Sequence, residues 1–327
     1  MALSEAFAAA HIANWQAALN LPYYAHRRYW PECLFHHAPL ENAAAILRTG
    51  TLRSRNDPEN ALLRDVAARD VNAARAHAHD FVRLYFRPKT PTQYHIEGIR
   101  KEGECQFGDE THAPVLVMFV VDAQRVLTLP HTQFCDRNMQ RLDAVPGGDE
   151  AYFGQIPFAS VYHEGPTGGD EMIPSHRCAE VLAASPLDLG YWLRAIYCRS
   201  EPERDTLLDM LGPDRHRWVE RCYVSDALKV FEKRHSFVQE VGLSNEGVFF
   251  TLNRRFDGRG SAIRIAVRNE WDQPVANFHH ADLPATPPQG GRWIYNHPFP
   301  DGHYRVSIEI EGHLAYDAKI LLQPTLF

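Results

Sequence analysis

The sequence predicts an α+β domain followed by a small all-β domain. Up to about residue 242, stretches with helical periodicity alternate with short apolar stretches typical of strands. After about residue 245, six short stretches alternate between apolar and polar residues, with turn residues between them. Because 327 residues are enough for two domains, we predict an N-terminal helical extension over residues 1–30, an α+β domain over 31–242 and a β-sandwich over 247–327.

Local signals define the first helix and the first strand–helix pair. Residues 5–20 are predicted to form an amphipathic helix with Ser4 as its N-cap. A short strand over residues 33–37 is expected to lead into a helix over 40–48. This helix should end at Gly50, because a glycine commonly follows the last turn of a helix.

The middle of the chain contains a predicted central strand. Residues 115–122 (VLVMFVVD) form a continuous apolar run bounded by polar sequence, which is typical of a strand buried on both faces. The other elements predicted for this part are a helical stretch over 57–79, strands over 81–86, 178–182 and 191–198, and one or two polar helices over 203–235.

The C-terminal part has the spacing of a small antiparallel sandwich of immunoglobulin-like type. Six short strands in some 80 residues, separated by turn sequences, are typical of that architecture. The boundary with the preceding domain is expected near residues 242–247. The predicted strands cover residues 249–253, 262–268, 274–280, 292–296, 303–311 and 315–322.

Composition narrows the class of protein. The net charge of −7 excludes a generally basic nucleic-acid-coating protein, so nucleic acid would have to bind at a local patch. The six cysteines show no C-x-x-C spacing and the 18 histidines form no ligand motif, so we predict no metal. Without a signal peptide or a long apolar run, we expect no membrane association and a cytoplasmic location.

Glu180 is a candidate functional residue within the predicted strand 178–182. Alternation places its side chain on the same face as Cys178 and Leu182. A lone carboxylate on an apolar strand is costly to bury unless it is paired or used. The pattern by itself favours a glutamate at the end of a strand that reaches water; the alternative is a catalytic carboxylate.

Histidines and a basic aromatic segment are further candidates. His36 and His37 lie on opposite faces of their strand, where a histidine is more often structural than functional. Residues 81–94 mix aromatic and basic side chains, which suits stacking on bases and contact with phosphates, although a solvated edge strand would look the same. Residues 48–101 contain 11 Lys or Arg against 6 Asp or Glu, so the acidic total hides a basic stretch.

Several enzyme classes lose support because their motifs are missing. The sequence contains no Walker loop, no G-x-G-x-x-G and no G-x-S-x-G. These motifs mark P-loop enzymes, Rossmann dehydrogenases and serine hydrolases respectively.

Four blocks, taken in order, resemble the DarT family of nucleic-acid ADP-ribosyltransferase toxins. They are residues 34–42 (LFHHAPLEN) running into Ile46 and Gly50, residues 80–94 (DFVRLYFRPKTPTQY), the apolar strand ending at Asp122 with Thr132 and Phe134 after it, and residues 177–182 (RCAEVL). The resemblance covers about residues 30–210. This chain departs from the family at Arg83, where a proline is usual, and at Ala38-Pro39, where Thr-His is usual.

The resemblance implies a split mixed sheet and roles for particular residues. Glu180 matches the catalytic glutamate, and Arg75 stands near the position of an arginine that orients NAD and substrate, with Arg69 as the competing position. The residues implied to bind NAD are His36, Asn42, Tyr85 and Tyr94. The residues expected to bind nucleic acid are Arg83, Arg87, Lys89, His163 and His176, and residues 164–176 would form the substrate-recognition loop.

The implied activity is transfer of ADP-ribose from NAD, consumed as a substrate, to a base of single-stranded DNA, with thymidine favoured. Two alternatives remain: transfer to RNA or to guanine, and a catalytically inactive module that binds nucleic acid or a partner. The family context implies a toxin–antitoxin pair or an anti-phage system, with a macrodomain antitoxin as partner. The β-sandwich is expected to bind an antitoxin, a chaperone or a phage component.

Overall fold

The computed structural model describes residues 2–66, 76–287 and 291–323 and divides into two compact units. The first unit comprises residues 1–96, 117–197 and 225–232. The second comprises residues 97–116, 198–224 and 233–327. Each unit is therefore assembled from three separate stretches of chain. Among the described residues, no helix combines the length and apolarity needed to cross a bilayer.

The first unit begins with the predicted helix. Helix α1 (Glu5–Ala18) starts after Ser4, whose hydroxyl accepts a hydrogen bond from the Phe7 N–H. Strand β1 (Cys33–Pro39) runs directly into α2 (Leu40–Thr49). Helix α2 ends at Gly50, whose φ of 73° lies in the left-handed region that glycine adopts without cost. The sequence-based predictions for these elements are confirmed.

A sheet forms the centre of the first unit, with strand order β5-β6-β3-β1-β4-β8. The pairs β1–β3, β3–β6, β5–β6 and β4–β8 are antiparallel. The strands are β3 (Phe81–Tyr85), β4 (Leu116–Asp122), β5 (Gln133–Cys135), β6 (Glu180–Ala184) and β8 (Leu193–Tyr197). Strand β4 is buried along almost its whole length, as the apolar run predicts.

Short elements surround this sheet. Strands β2 (Thr51–Leu52) and β7 (Leu187–Asp188) form a separate antiparallel pair. Two 3₁₀ helices cover Ala25–Tyr29 and Ala76–Asp80. In the described part of the unit, the remaining α-helices are α3 (Pro91–Ile96), α4 (Ala123–Leu127), α5 (Glu150–Phe153), α6 (Phe158–Val161), α7 (Met172–His176) and α8 (Leu189–Trp192).

The prediction of a helix over residues 57–79 is wrong for the first part of that range. Residues 57–66 are not helical, residues 67–75 lie outside the described part of the chain, and only the 3₁₀ turn at Ala76–Asp80 follows. The Asn42 side chain accepts hydrogen bonds from the backbone N–H groups of Leu63 and Arg64, both at 2.9 Å. These donors are therefore not available to the i−4 carbonyls of a helix.

The strand predicted over 178–182 begins two residues later than expected. The N–H groups of Arg177, Cys178 and Ala179 close the end of α7 by bonding carbonyls of Ile173, Ser175 and His176. Those residues therefore complete a helix terminus before β6 can start at Glu180.

Two further predictions need correction. In the strand predicted over 191–198, the first two residues belong to α8, and β8 starts at Leu193. The helices predicted over 203–235 are present only in part, as α9 (Glu201–Leu211) and two 3₁₀ turns, Gly212–Arg217 and Val219–Arg221. Strand β9 (Cys222–Tyr223) follows, and Gly212 with φ of 57° ends α9.

The second unit contains two antiparallel sheets that share one apolar core. Their strand orders are β10-β11-β14 and β13-β12-β15-β16. The strands are β10 (Val238–Ser244), β11 (Gly247–Leu252), β12 (Ser261–Asn269), β13 (Pro274–Leu283), β14 (Trp293–Asn296), β15 (Gly302–Ile310) and β16 (His313–Leu322). The six predicted strands are confirmed within a few residues, and β10 was not predicted.

The strand order is that of an immunoglobulin-like sandwich. One sheet contains the first, second and fifth strands in chain order, and the other contains the third, fourth, sixth and seventh. Tyr304, near the start of the sixth strand, donates its hydroxyl to the Pro300 carbonyl at 2.8 Å. This arrangement is the tyrosine corner found in many such sandwiches, and it confirms the predicted architecture.

Candidate active site

Glu180 is the first residue of β6 and lies in the interior of the first unit. It is in register with Tyr85 on β3 and with Cys135 on β5, so neighbouring strands flank it on both sides. Its side chain is 0% exposed. The interpretation that Glu180 reaches water at the end of a strand is therefore wrong, and the buried carboxylate must be compensated by its neighbours.

Arg83 on β3 supplies most of that compensation. Its Nη2 donates to Glu180 Oε1, and its Nε donates to Oε2 at 3.2 Å. The backbone N–H of Met139 donates to the same Oε2 at 3.1 Å. Burial is the largest single effect and lowers the pKa of Arg83, but the charge and hydrogen bond of Glu180, together with the charge of Tyr85, raise that pKa above the ordinary value. Both carboxylate oxygens thus have charged or backbone donors.

An open cleft of about 240 Å³ lies next to this ion pair. Arg83 lines the cleft and also contacts Glu180, whereas Glu180 itself is not among the lining residues. Residues from β1, α2 and β3 contribute to the wall, among them His36, Asn42 and Tyr85. Three of the four residues predicted to bind NAD therefore line one cleft.

The two histidines of β1 have distinct environments. His36 Nδ1 lies 3.0 Å from the Arg83 carbonyl oxygen, and burial lowers the pKa of the ring. A neutral ring that donates through Nδ1 has Nε2 as an acceptor, which suits a ribose hydroxyl. His37 stacks on Tyr85 with ring centroids 5.5 Å apart, and burial lowers its pKa to about 3.

Asn42 has a structural use in addition to its place in the cleft wall. Its Nδ2 donates to the Arg64 carbonyl at 2.7 Å, while its Oδ1 accepts from two backbone N–H groups of residues 63–64. The amide thereby holds this segment along one side of the cleft. In this structure it positions the wall, and its hydrogen bonds are made to protein.

Arg87 is an internal residue, and not the nucleic-acid contact that we predicted. Its side chain is buried, its guanidinium carbon lies 4.9 Å from the Trp30 ring centroid, and its nitrogens donate to the carbonyls of Pro88 and His163. The sequence pattern missed this because a basic residue beside a proline resembles a solvated edge position. Lys89, in contrast, is half-buried and ion-paired with Glu164 at 3.0 Å.

Two further predicted site residues, His163 and His176, lie on the segment that precedes β6. His163 Nδ1 accepts from Arg177 Nη2 at 2.6 Å, and His176 Nδ1 lies 2.9 Å from the Asp136 carbonyl. Tyr94 is exposed on α3. Arg75 and its competitor Arg69 lie outside the described residues.

Arg83 is the residue whose position the sequence did not reveal. It was predicted to bind nucleic acid, whereas its side chain contacts Glu180 and, at 3.0 Å, Asn138 Oδ1. Arg83 and Tyr85 share a face of β3, and Glu180 pairs with Tyr85, so Arg83 is a diagonal neighbour of Glu180. The strand register would have identified the pair, but the register is not readable from one sequence.

The candidate site contains no arrangement typical of metal ligands. Over residues 2–66, 76–287 and 291–323, no three His, Cys, Asp or Glu side chains converge on one point. All six cysteines carry free thiols.

Comparison with solved structures finds DarT proteins of low sequence identity. The DarT of Thermus sp. 2.9 in complex with ADP-ribosylated ssDNA is 21% identical, with a TM-score of 0.49 over 61% of this chain and 96% of that chain. The same protein in complex with NAD+ is 22% identical, with a TM-score of 0.44 over 60% of this chain and 97% of that chain. Thermosipho africanus DarTG in complex with ADP-ribose is 14% identical, with a TM-score of 0.45 over 68% of this chain and 55% of that chain. No curated protein sequence matches this chain.

The match to a family model is the decisive comparison. The model for "ssDNA thymidine ADP-ribosyltransferase, DarT" matches residues 35–226, which include most of β1, the residues that line the cleft, Arg83 and Glu180. This match spans more than half of the 327 residues. The chain therefore belongs to the DarT family of ssDNA thymidine ADP-ribosyltransferases.

Proposed function

We propose that this chain transfers ADP-ribose from NAD to thymidine in single-stranded DNA, with Glu180 as the catalytic carboxylate. The observation that supports this role is the burial of Glu180 beside an open cleft, with both oxygens held by donors. A carboxylate held in place in this way can stabilise the positive charge that develops in a transition state. Membership of the DarT family supports the same activity.

The proposed chemistry exchanges one C–N bond for another. Nicotinamide leaves with the electron pair of the bond to ribose C1′, and positive charge develops on the ribose. Glu180 stabilises that charge, while His36 accepts a hydrogen bond from a ribose hydroxyl through Nε2. A ring nitrogen of thymine then forms the new bond to C1′ and releases its proton. The base must be unpaired and unstacked, because a paired edge cannot be reached.

Arg83 has to give up part of its contact with Glu180 during this cycle. Because Glu180 is fully buried and paired with Arg83, a ribose hydroxyl would reach the carboxylate only after Arg83 moves or turns. Arg83 has room to do so, since its side chain is about one-fifth exposed (19%) and lines the cleft. We therefore assign Arg83 a positioning role towards Glu180 in addition to its predicted contact with nucleic acid.

Other residues of the site complete the proposal. Tyr85 and Tyr94 are proposed to contact NAD, and Arg75 to orient it. Lys89, His163 and His176 are proposed to face the DNA strand, because they lie on or beside the segment that precedes β6. Residues 164–176 would then recognise the substrate.

A transfer assay tests the activity. The full chain is incubated with NAD labelled in the ADP-ribose part and with single-stranded oligonucleotides of DNA or RNA that contain either thymine (uracil) or guanine as the only reactive candidate. We expect label on thymidine-containing DNA. Label only on RNA or only on guanine-containing DNA would mean that the substrate is RNA or guanine, and the proposed mechanism would still apply.

A pair of buried glutamates provides the variant and its control. Glu180→Gln should lower transfer by about 10²–10³-fold or more, the scale of losing one electrostatic contact to the transition state. Glu203→Gln changes another fully buried glutamate that is ion-paired with an arginine, Arg199, in the second unit. This control variant should retain its transfer activity under conditions in which it is folded. Equal transfer by wild type and Glu180→Gln would contradict the catalytic role of Glu180, whereas no transfer by either protein would support an inactive binding module.

The biological setting is proposed on the family context. We propose that the chain acts in the cytoplasm as the toxin of a toxin–antitoxin or anti-phage system, countered by a macrodomain antitoxin. The six free thiols support a reducing compartment. The domain limits of 31–242 and 247–327 remain part of this proposal, with the sandwich binding an antitoxin, a chaperone or a phage component.

A further inference from the structure

Four residues that lie before β1 in the chain form a surface of three exposed tyrosine rings and one partly exposed arginine, here called the tyrosine–arginine surface. Tyr23 is 63% exposed, and the rings of Tyr24 and Tyr29 are also exposed. The fourth member is Arg28, whereas the neighbouring Arg27 is buried against the Tyr24 ring and is only 7% exposed. The surface precedes residue 35, where the family match begins, and neither the fold nor the proposed catalytic mechanism requires it.

The rings and guanidinium groups of this surface are paired with one another. The Arg27 guanidinium carbon lies 5.4 Å from the Tyr24 ring centroid, and that of Arg28 lies 4.7 Å from the Tyr29 centroid. Tyr23 and Tyr24 meet edge to face at 6.0 Å. Exposed aromatic faces with arginines beside them are the means by which proteins stack single-stranded bases and contact the adjoining phosphates.

The backbone at this surface is held in an unfavourable conformation. Tyr24 has φ of 53° in the left-handed region, which is uncommon for a bulky residue without a functional or packing reason. The next residues form the 3₁₀ helix Ala25–Tyr29. Tyr24 also packs closely against Gly165. A Cβ at that position would lie 2.9 Å from the Tyr24 hydroxyl, so the glycine permits this close contact.

The tyrosine–arginine surface is anchored to the segment that leads to the catalytic strand. Arg27 Nη1 donates to the Tyr162 carbonyl at 3.0 Å, and His26 Nε2 lies 2.6 Å from Glu164. The Gly165 carbonyl in turn accepts from Arg177 Nη2 at 2.6 Å. Arg177 is three residues before Glu180 in the sequence. The surface is thus continuous with the proposed substrate-recognition segment.

The local charge favours an anion although the whole chain is acidic. The nearest carboxylate, Glu164, is paired with both Lys89 and His26. The other acidic groups whose charges act on this cluster are Asp170 and Glu232. The cations around it are Arg27, Arg28, Arg87, Arg177, Lys89 and Lys229. A chain of net charge −7 therefore concentrates positive charge here.

We propose that the tyrosine–arginine surface binds single-stranded DNA next to the modified thymidine, by stacking flanking bases on Tyr23 and Tyr29 while Arg28 contacts a phosphate. This inference rests on the proposed function, because it takes the substrate of the active site to be a single strand. It adds a binding site outside the part of the chain that the family shares.

The test measures DNA binding without catalysis. Binding of the full chain to a dye-labelled single-stranded oligonucleotide with one central thymidine is followed by fluorescence anisotropy in the absence of NAD. A second oligonucleotide keeps every phosphate but has abasic flanks on both sides of the thymidine. The variants are Tyr23→Ser/Tyr29→Ser, the conservative Tyr23→Phe/Tyr29→Phe, and the control Tyr191→Ser. Tyr191 is also exposed (66%) and has Arg125 over its ring, but it lies on α8.

Stacking predicts a specific pattern. The double serine variant should bind the full oligonucleotide at least about fivefold more weakly than wild type, since one stacked base contributes about 1–3 kcal/mol. Abasic flanks should weaken wild-type binding by a similar factor and leave the serine variant nearly unchanged. The phenylalanine variant and Tyr191→Ser should bind as wild type does. All variants should unfold at the wild-type temperature, because the changed rings are exposed.

Two outcomes would overturn the inference: wild-type affinity in the double serine variant, or an equal loss in that variant for full and abasic oligonucleotides. Hydrolysis of NAD in the absence of DNA reports on the catalytic site separately. If wild type transfers ADP-ribose to DNA while the serine variant binds unchanged, the surface proposal fails and the proposed function stands. If wild type shows no transfer but the stacking pattern appears, the proposed function fails and the surface proposal stands.

Discussion

The contact between Arg83 and Glu180 couples the stability of the site to its chemistry. The two partners are not equivalent, because the carboxylate is fully buried whereas the guanidinium reaches the cleft. An unpaired charge in the interior costs far more than one that can turn towards water. The same asymmetry would let Arg83 move away during catalysis while Glu180 stays in place on β6.

We expect this asymmetry in the unfolding of single and double variants. Arg83→Met should lower the free energy of unfolding by about 3–5 kcal/mol, because it leaves Glu180 buried without its partner. Glu180→Gln should cost clearly less, since Arg83 can then be solvated. The double variant should be more stable than Arg83→Met alone. Urea unfolding measures all three, and equal losses for the two single variants would contradict the asymmetry.

At the scale of elements, periodicity predicted α1, β1, α2, β4 and the sandwich strands, since one face or both faces of each are apolar. It failed at residues 57–66 and 178–179. There, side-chain or helix-end hydrogen bonds decide the backbone conformation. These bonds depend on residues far away in the chain or on a short helix too irregular to recognise. The sequence placed Glu180 on a strand, but only the register of β3 with β6 identifies Arg83 as its partner.

The stability of helix α1 is expected to depend on pH through one histidine. Its His11 ring packs against Phe153 and Phe158, with centroids 4.8 and 4.3 Å apart. Its Nε2 is buried and has no hydrogen-bond partner within the part of the chain that the structure describes. Burial lowers the pKa of His11 from 6.5 to about 4, so the folded state favours the neutral ring.

Protonation should therefore detach α1. Because the folded-state pKa lies below the unfolded value, this stabilisation is complete above pH 6.5 and is lost as the pH falls towards 4. Amide hydrogen exchange in α1, corrected for the intrinsic pH dependence, should lose protection between pH 7 and 4.5. His11→Leu should remove most of this change, while the other histidines keep their own contributions. An unchanged loss in His11→Leu would assign the effect elsewhere.

At the scale of the molecule, the second unit is built from stretches that are distant in the chain. Within it, Arg305 on β15 is ion-paired with Asp209 of α9 at 3.0 Å, and the Asp317 N–H donates to Thr206 Oγ1 at 3.1 Å. Strand β10 also belongs to the sandwich, although it precedes the predicted domain boundary. The sandwich strands alone therefore omit part of the packing that the unit contains.

Two fragments should differ in stability for this reason. Residues 247–327 lack β10, which leaves one edge of β11 unpaired and exposes the core residues that Val238 covers. Residues 198–327 retain β10 and α9 with its contacts to β16. We expect cooperative thermal unfolding, followed by circular dichroism, only for the longer fragment, and Asp209→Asn should lower its midpoint slightly. A sharp transition at the same temperature in both fragments would mean that the seven-stranded arrangement is dispensable, and that residues 247–327 form a domain by themselves.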